Sequence, residues 1–113
     1  FLTVGDLDGD GSKEMVAAAF RTGVWLLKPG KKGVWTVENI EQDSSAAIEH
    51  AALATDLDGD GRDELYVAAD DQGQLRRYTW QDGKIKRETL LSRDNPRAIW
   101  TWNISAVPRK LLP

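Results

Sequence analysis

Two short acidic loops of this chain have the residue types and the spacing of a metal site. In the second loop, oxygen-bearing side chains alternate along the chain, with glycines between them: Asp56, Asp58, Asp60, Glu64, Gly59 and Gly61. Ca²⁺ takes roughly six to eight oxygen ligands, and a short loop can supply them from alternate residues. The glycines allow the backbone dihedrals that a tight wrap needs. Without a cation the loop would crowd like charges, so its spacing predicts a calcium site.

The same loop occurs once more, fifty residues earlier, with its carboxylates at Asp6, Asp8, Asp10 and Glu14. Position seven, which is Ser12 in one copy and Arg62 in the other, is expected to contribute a backbone carbonyl oxygen. We therefore expect two bound Ca²⁺ ions, which are structural cofactors because they hold the connection between two strands. Mg²⁺ is less suited, since it prefers a strict octahedron and keeps its waters.

An EF-hand is the obvious alternative, because its loop uses the same alternation of acidic residues. That loop needs a bidentate Glu at position twelve, between two helices. Position twelve here is Ala17 in one copy and Val67 in the other, and the segment before the next Gly is too short for an EF helix. The EF-hand interpretation fails on both counts.

The composition limits the other possible functions. The chain has 113 residues, a net charge of −3 and no cysteine, which excludes disulfides and Cys-ligated zinc. It has no basic stripe for nucleic acid and no long apolar run, so we expect neither nucleic-acid binding nor a membrane-spanning segment. Because it starts at Phe1 within an apolar run, we interpret it as a segment of a longer protein or a processed one.

Residues outside the loops also repeat at a spacing of fifty, for example Ala18 with Ala68 and Gly23 with Gly73. Each repeat contains four strand candidates separated by turns, which predicts an antiparallel meander. The inner strands are apolar or small on both faces, whereas the last strand of the second repeat is half charged. This gradient favours a β-propeller blade over a sandwich, in which every strand would alternate.

The predicted fold is therefore all-β: two antiparallel four-stranded β-propeller blades plus the first strand of a third, as a segment of a larger propeller. One blade is expected at residues 1–41 with its calcium loop at 6–14, and the other at 47–91 with its loop at 56–64. The extra strand is expected at 98–107. Either this third blade lacks calcium or the segment ends there.

The stretches GDLDGDGSKEMVAAAF and TDLDGDGRDELYVAAD resemble FG-GAP/VCBS-type repeats, the calcium-loop propeller blades of integrin heads and of many secreted bacterial proteins. The resemblance covers about residues 1–91, and it implies the metal ligands Asp6, Asp8, Asp10, Ser12, Glu14, Asp56, Asp58, Asp60, Arg62 and Glu64. A Phe-Gly-Gly-Ala-Pro signature is missing, so the bacterial type is the closer relative and integrin-like ligand binding is not implied.

The leading functional hypothesis is a calcium-binding propeller module that acts as a binding or scaffold domain for a protein or polysaccharide partner. Further blades, or copies of the chain itself, are expected to pack against it. The alternative is part of a secreted polysaccharide lyase or other carbohydrate-active enzyme built on a propeller. We assign no catalytic residue, and the weak calcium affinity typical of extracellular modules predicts an extracellular, cell-surface or periplasmic location.

The five tryptophans leave two interpretations open, because an exposed indole can stack on a sugar and a buried one packs between blades. In a gapless alignment of the repeats, Trp25 and Trp35 fall on Leu75 and Ile85, which favours packing for those two.

Overall fold

The structure is a computed structural model that describes residues 1–42, 49–69, 72–94 and 103–113. As predicted, this part of the chain is all-β and forms two four-stranded antiparallel sheets. Sheet A has the strand order β1-β2-β3-β4, and sheet B has the order β5-β6-β7-β8. Their strands are β1 Leu2–Gly5, β2 Glu14–Ala19, β3 Gly23–Pro29, β4 Trp35–Glu41, β5 Glu49–Thr55, β6 Glu64–Ala69, β7 Gln74–Gln81 and β8 Lys84–Ser92.

In the described part of the chain, helical structure is limited to short 3-10 turns such as Lys31–Gly33 and Arg109–Leu111. Among the described residues, none belongs to a helix long and apolar enough to span a membrane. Of the predicted extra strand at 98–107, residues 98–102 lie outside the described residues, and residues 103–107 have no regular secondary structure. The two blades are predicted at residues 1–41 and 47–91. The sheets of the structure run from Leu2 to Glu41 and from Glu49 to Ser92.

The two sheets differ in register at one turn. In sheet A, Ala17 of β2 pairs with Trp25 of β3. In sheet B, Val67 of β6 pairs with Arg76 of β7, one residue further along than a gapless repeat would place it. The structural counterpart of Trp25 is therefore Arg76, not Leu75, and the gapless alignment is wrong over this strand.

The next turn restores the original spacing. A two-residue turn, Asp82-Gly83, connects β7 to β8, and both residues have positive φ, 51° and 74°. This is the backbone conformation that makes Asp-Gly a strong hairpin signal. The corresponding loop of sheet A is longer, so that Trp35 pairs with Pro29 as Ile85 pairs with Trp80. Trp35 thus does correspond to Ile85.

The sheets pack face to face and enclose one hydrophobic core. Its fully or nearly fully buried members come from both sheets and from the first acidic loop: Leu7, Val16, Val24, Leu26, Leu65, Val67 and Tyr78. Because side chains alternate between the two faces of a strand, the register assigns Val16, Val24 and Leu26 to one face of sheet A. The same alternation assigns Leu65, Val67 and Tyr78 to one face of sheet B.

The opposite face of sheet A is apolar and only partly covered; we call it the outer face. Its apolar side chains include, by register, Leu2, Val4, Met15, Ala17, Trp25, Leu27, Trp35 and Val37, and Asn39 lies on the same face. Four of these are large and exposed: Leu2 at 67%, Val4 at 51%, Trp35 at 45% and Val37 at 59%. Strand β2 of sheet A alternates between buried and half-buried residues. Every residue of the corresponding strand β6 in sheet B is buried.

Cross-sheet contacts fix how the sheets lie on each other. The Thr3 hydroxyl accepts a hydrogen bond of 3.0 Å from the backbone N–H of Ala54. At the outer edge, the Arg87 guanidinium contacts the Glu41 carboxylate at 2.8 Å. At the inner edge, β1 reaches sheet B so closely that a Cβ on Gly5 would lie 2.6 Å from the Cβ of Ala54. Gly5 is required there by the close approach of the two sheets.

We therefore expect Gly5→Ala to destabilise the protein by about 1–3 kcal/mol, the usual cost of overpacking a tight contact. The measurement is the midpoint of urea unfolding. The matched control is Thr55→Ala, since Thr55 occupies the corresponding position of the second repeat and already carries a Cβ. Equal midpoints for Gly5→Ala and wild type would contradict this packing.

Candidate metal centre

The second acidic loop brings four of its five carboxylates together. One oxygen from each of Asp56, Asp58, Asp60 and Glu64 lies within 4.8 Å of the others. The loop connects β5 to β6, so it begins where one inner strand ends and it ends where its partner starts. The three aspartates are exposed, and Glu64 is buried at 4% exposure. The cluster is thus open to solvent on one side and anchored in the protein on the other.

Backbone hydrogen bonds wrap this loop around its first aspartate. Asp56 Oδ1 accepts from the N–H of Gly59 at 2.7 Å, and its Oδ2 accepts from the N–H of Gly61 at 3.0 Å. Both glycines have positive φ, 81° and 90°, which side-chain-bearing residues rarely adopt. The glycines therefore turn the backbone so that its N–H groups point inward at Asp56.

A glutamate closes each loop from the buried side. Glu64 Oε2 accepts from the N–H of Leu57 at 3.0 Å and from the Tyr66 hydroxyl at 3.2 Å. Burial and the adjacent Glu64 charge raise the pKa of Tyr66, so its hydroxyl stays a donor. In the first loop, Glu14 Oε2 accepts from the N–H of Leu7 at 2.9 Å. Burial raises the pKa of Glu14 despite this hydrogen bond, because the ionised carboxylate has lost much of its water.

The first loop repeats this hydrogen-bond pattern but gathers fewer carboxylates. Asp6 accepts from Gly9 at 2.8 Å and from Gly11 at 2.9 Å, as Asp56 does in the second loop. Only three of its carboxylates, those of Asp6, Asp8 and Glu14, form a cluster within 4.8 Å. The predicted ligand Asp10 lies outside that cluster, and its Oδ1 accepts from the N–H of Ser12 at 2.7 Å.

A lysine from sheet A enters the first loop. Lys28 Nζ lies 2.6 Å from Asp8 Oδ2 and also 4.3 Å from the centre of the Trp80 ring of sheet B. Burial by itself raises the pKa of Asp8, but the hydrogen bond and charge of Lys28 outweigh it and hold that pKa below its usual value. Burial disfavours the charged form of Lys28 as well, yet Asp8 raises the pKa of Lys28.

The two residues at position seven are placed differently. Ser12 is exposed in the first loop. Arg62 donates from its guanidinium to the carbonyl oxygen of Trp80 at 3.5 Å, and its Cγ would lie 2.8 Å from a Cβ on Gly9. The Arg62 side chain therefore packs over the first loop. The carbonyl oxygens of Ser12 and Arg62 remain predicted ligands.

Sequence reasoning missed Asp63, which connects the two loops. Its Oδ2 accepts from the N–H of Asp6 at 2.8 Å, and its own N–H donates to the carbonyl oxygen of Asp6 at 2.8 Å. The corresponding residue of the first loop is Lys13, whose ammonium lies 3.8 Å from Asp63 Oδ2. An acidic residue where the other repeat has a basic one was the available signal, but the residue it would contact could not be read from the sequence.

A cleft of about 370 Å³ lies beside the second loop. Its walls combine loop residues with the end of β7 and the turn that follows, and they include Asp58, Asp60, Arg62, Thr79, Trp80, Gln81 and Asp82. Trp80 also packs against the core from a half-buried position. Trp25 is half-buried and donates to the Thr22 hydroxyl at 3.0 Å, whereas Trp100 and Trp102 lie outside the described residues.

The profile of one protein family, the FG-GAP-like repeat, matches residues 6–67, which is more than half of the 113-residue chain. The chain belongs to the FG-GAP-like repeat family. A search of curated proteins found no significant match. The FG-GAP-like match starts at the first aspartate of the first loop and ends within β6, so it includes both acidic loops. It also includes Lys28, Arg62 and Asp63, which contact the first loop from outside it.

We expect Asp63→Ala to destabilise this FG-GAP-like repeat by about 1–3 kcal/mol, because the N–H of Asp6 would lose its acceptor in a partly buried place. Thermal unfolding in the presence of a chelator measures the loss without any metal contribution. Lys13→Ala is the matched control at the corresponding position, and it should change the unfolding temperature little because Lys13 is exposed. Equal losses for the two variants would show that Asp63 does not connect the loops.

Proposed function

We propose that this FG-GAP-like repeat protein is a calcium-stabilised part of a β-propeller, and that it serves as a binding or scaffold domain. The observation that carries the proposal is the convergence of Asp56, Asp58, Asp60 and Glu64 within 4.8 Å. Carboxylate oxygens are the donors that Ca²⁺ prefers, and the residues present fit this ion. Asp6, Asp8 and Glu14 would hold the second ion, with Asp10 turning toward it.

Calcium would act here on folding. The carboxylates are dispersed in the unfolded chain and converge only in the native loops, so binding free energy becomes folding free energy. Burial of Glu64 at 4% and of Glu14 at 1% exposure adds to the need for a cation, since buried charges are costly unless they are paired. The ions neutralise the loops and fix the connection between the two inner strands of each sheet.

The propeller part of the proposal follows from how the sheets use their faces. Sheet B packs with the face that contains Val67 and Arg76, and these residues correspond by register to Ala17 and Trp25 of sheet A. Those two lie on the outer face of sheet A, not on the face that contacts sheet B. The contact is therefore head-to-tail, and a head-to-tail contact that is repeated makes a ring when its rotation closes.

The partner part of the proposal rests on the cleft beside the second loop. Its walls offer an indole, an amide, a guanidinium and carboxylates from Trp80, Gln81, Arg62 and Asp82. A concave surface with an aromatic ring and a few convergent polar groups suits a polysaccharide or a polar protein segment. An extracellular, cell-surface or periplasmic location fits this function, because a module of weak calcium affinity is filled only where Ca²⁺ is abundant.

Removal of calcium is the direct test. At a free Ca²⁺ concentration about 10–100 times Kd, each ion should stabilise the fold by about 1.4–2.7 kcal/mol, so the unfolding temperature should fall on chelation. Asp58→Asn should narrow the difference between the unfolding temperatures measured in calcium and in chelator. Asp82→Asn, which changes a carboxylate of the same cleft outside the loop, should leave that difference unchanged. An unfolding temperature of the wild-type chain that does not respond to chelation would refute the calcium proposal.

The outer face of sheet A gives a second prediction. A large exposed apolar patch marks an interaction surface, so we expect the isolated chain to self-associate. Val37→Asp places a charge on this face and should shift sedimentation velocity toward the monomer. Val34→Asp is the control, because Val34 is 66% exposed but lies in the loop before β4. A monodisperse wild-type monomer would contradict a role for this face in packing against a further blade.

A further inference from the structure

We infer that Lys28 makes the two calcium sites unequal: it acts as an internal cation of the first loop and weakens Ca²⁺ binding there. The inference rests on the proposed calcium sites and concerns their relative affinity. Its basis is the contact of 2.6 Å between Lys28 Nζ and Asp8 Oδ2, which brings a positive charge directly to one of the expected ligands.

Among the residues that the structure describes, no lysine contacts the carboxylates of the second loop in this way. By register, Lys28 follows the residue that pairs with Met15, and its counterpart Thr79 follows the residue that pairs with Leu65. Thr79 lines the same cleft as Asp58, so it occupies the corresponding place beside the second loop without carrying a charge. The two sites therefore differ at a structurally matched position.

The two carboxylate clusters also differ in a way that favours tighter Ca²⁺ binding by the second loop. The second loop gathers four carboxylates within 4.8 Å, and the first gathers three, one of which is held by Lys28. Ligand charge sets the calcium affinity of loop sites over several orders of magnitude. The second loop should fill first, and the first should fill only at higher calcium, where Ca²⁺ competes with the ammonium for Asp8.

Removing Lys28 should also lower the stability of the fold, because this lysine makes a second contact. Its ammonium also lies over the Trp80 ring of sheet B at 4.3 Å, so the lysine connects the first loop to the neighbouring sheet. Without calcium, Lys28 neutralises part of the loop charge and should stabilise the fold. With calcium, the same charge opposes the ion. A merely structural lysine would show only the first effect.

Isothermal titration calorimetry on single-site backgrounds tests the inference. In a protein whose second loop is disabled by Asp58→Asn and Asp60→Asn, Lys28→Thr should tighten Ca²⁺ binding by about ten-fold, the size of one charged hydrogen bond. Lys28→Arg, which keeps the charge, should leave the affinity near that of the background. In a protein whose first loop is disabled by Asp8→Asn and Asp10→Asn, Thr79→Lys should weaken binding by about ten-fold.

Thermal unfolding measures two opposite effects of removing Lys28. In chelator, Lys28→Thr should lower the unfolding temperature by about 4 °C, while the rise on adding calcium should become larger than in wild type. Equal affinities of the two loops, with no tightening in Lys28→Thr and no weakening in Thr79→Lys, would overturn the inference and leave the calcium sites standing. Absence of calcium binding in every variant would instead overturn the proposed function.

Discussion

The backbone of each acidic loop folds back onto its own first aspartate, and this concentrates negative charge where two inner strands meet. The N–H groups of two glycines point at Asp56 in one loop and at Asp6 in the other. A buried glutamate closes each loop from below by accepting the N–H of a leucine. This geometry sets the strand connection and at the same time places several carboxylates close together. In the first loop, Lys28 supplies a positive charge next to Asp8.

The two loops differ because they have different neighbours. The first lies between the sheets, where Lys28 and the Asp63 hydrogen bonds reach it. The second lies beside an open cleft, where Tyr66 supports its glutamate and no lysine enters among the described residues. Repetition of a loop sequence thus does not make the two loops equivalent, since each lies in a different tertiary environment.

Sheet packing also makes the two faces of sheet A unequal. One face of sheet A is buried against sheet B, whereas its outer face keeps Leu2, Val4 and Val37 exposed. The close approach at Gly5 and the ion pair between Arg87 and Glu41 fix the position of the two sheets relative to each other. Corresponding faces of the two repeats have different surroundings, because the face that sheet B buries against sheet A corresponds to the outer face of sheet A.

The sequence by itself determined what depends on near neighbours along the chain. The spacing of aspartates and glycines predicted both loops, and the alternation of strands and turns predicted four strands in each sheet. The Asp82-Gly83 hairpin is likewise local, because it depends on the positive φ angles of two adjacent residues. Tertiary structure alone decided the rest. Lys28 reaches Asp8 from twenty residues away, and Asp63 reaches Asp6 from fifty-seven. The register slip that makes Arg76, and not Leu75, the counterpart of Trp25 also arises from strand pairing. Such contacts depend on how two sheets settle against each other, and residue spacing within one loop carries no information about that.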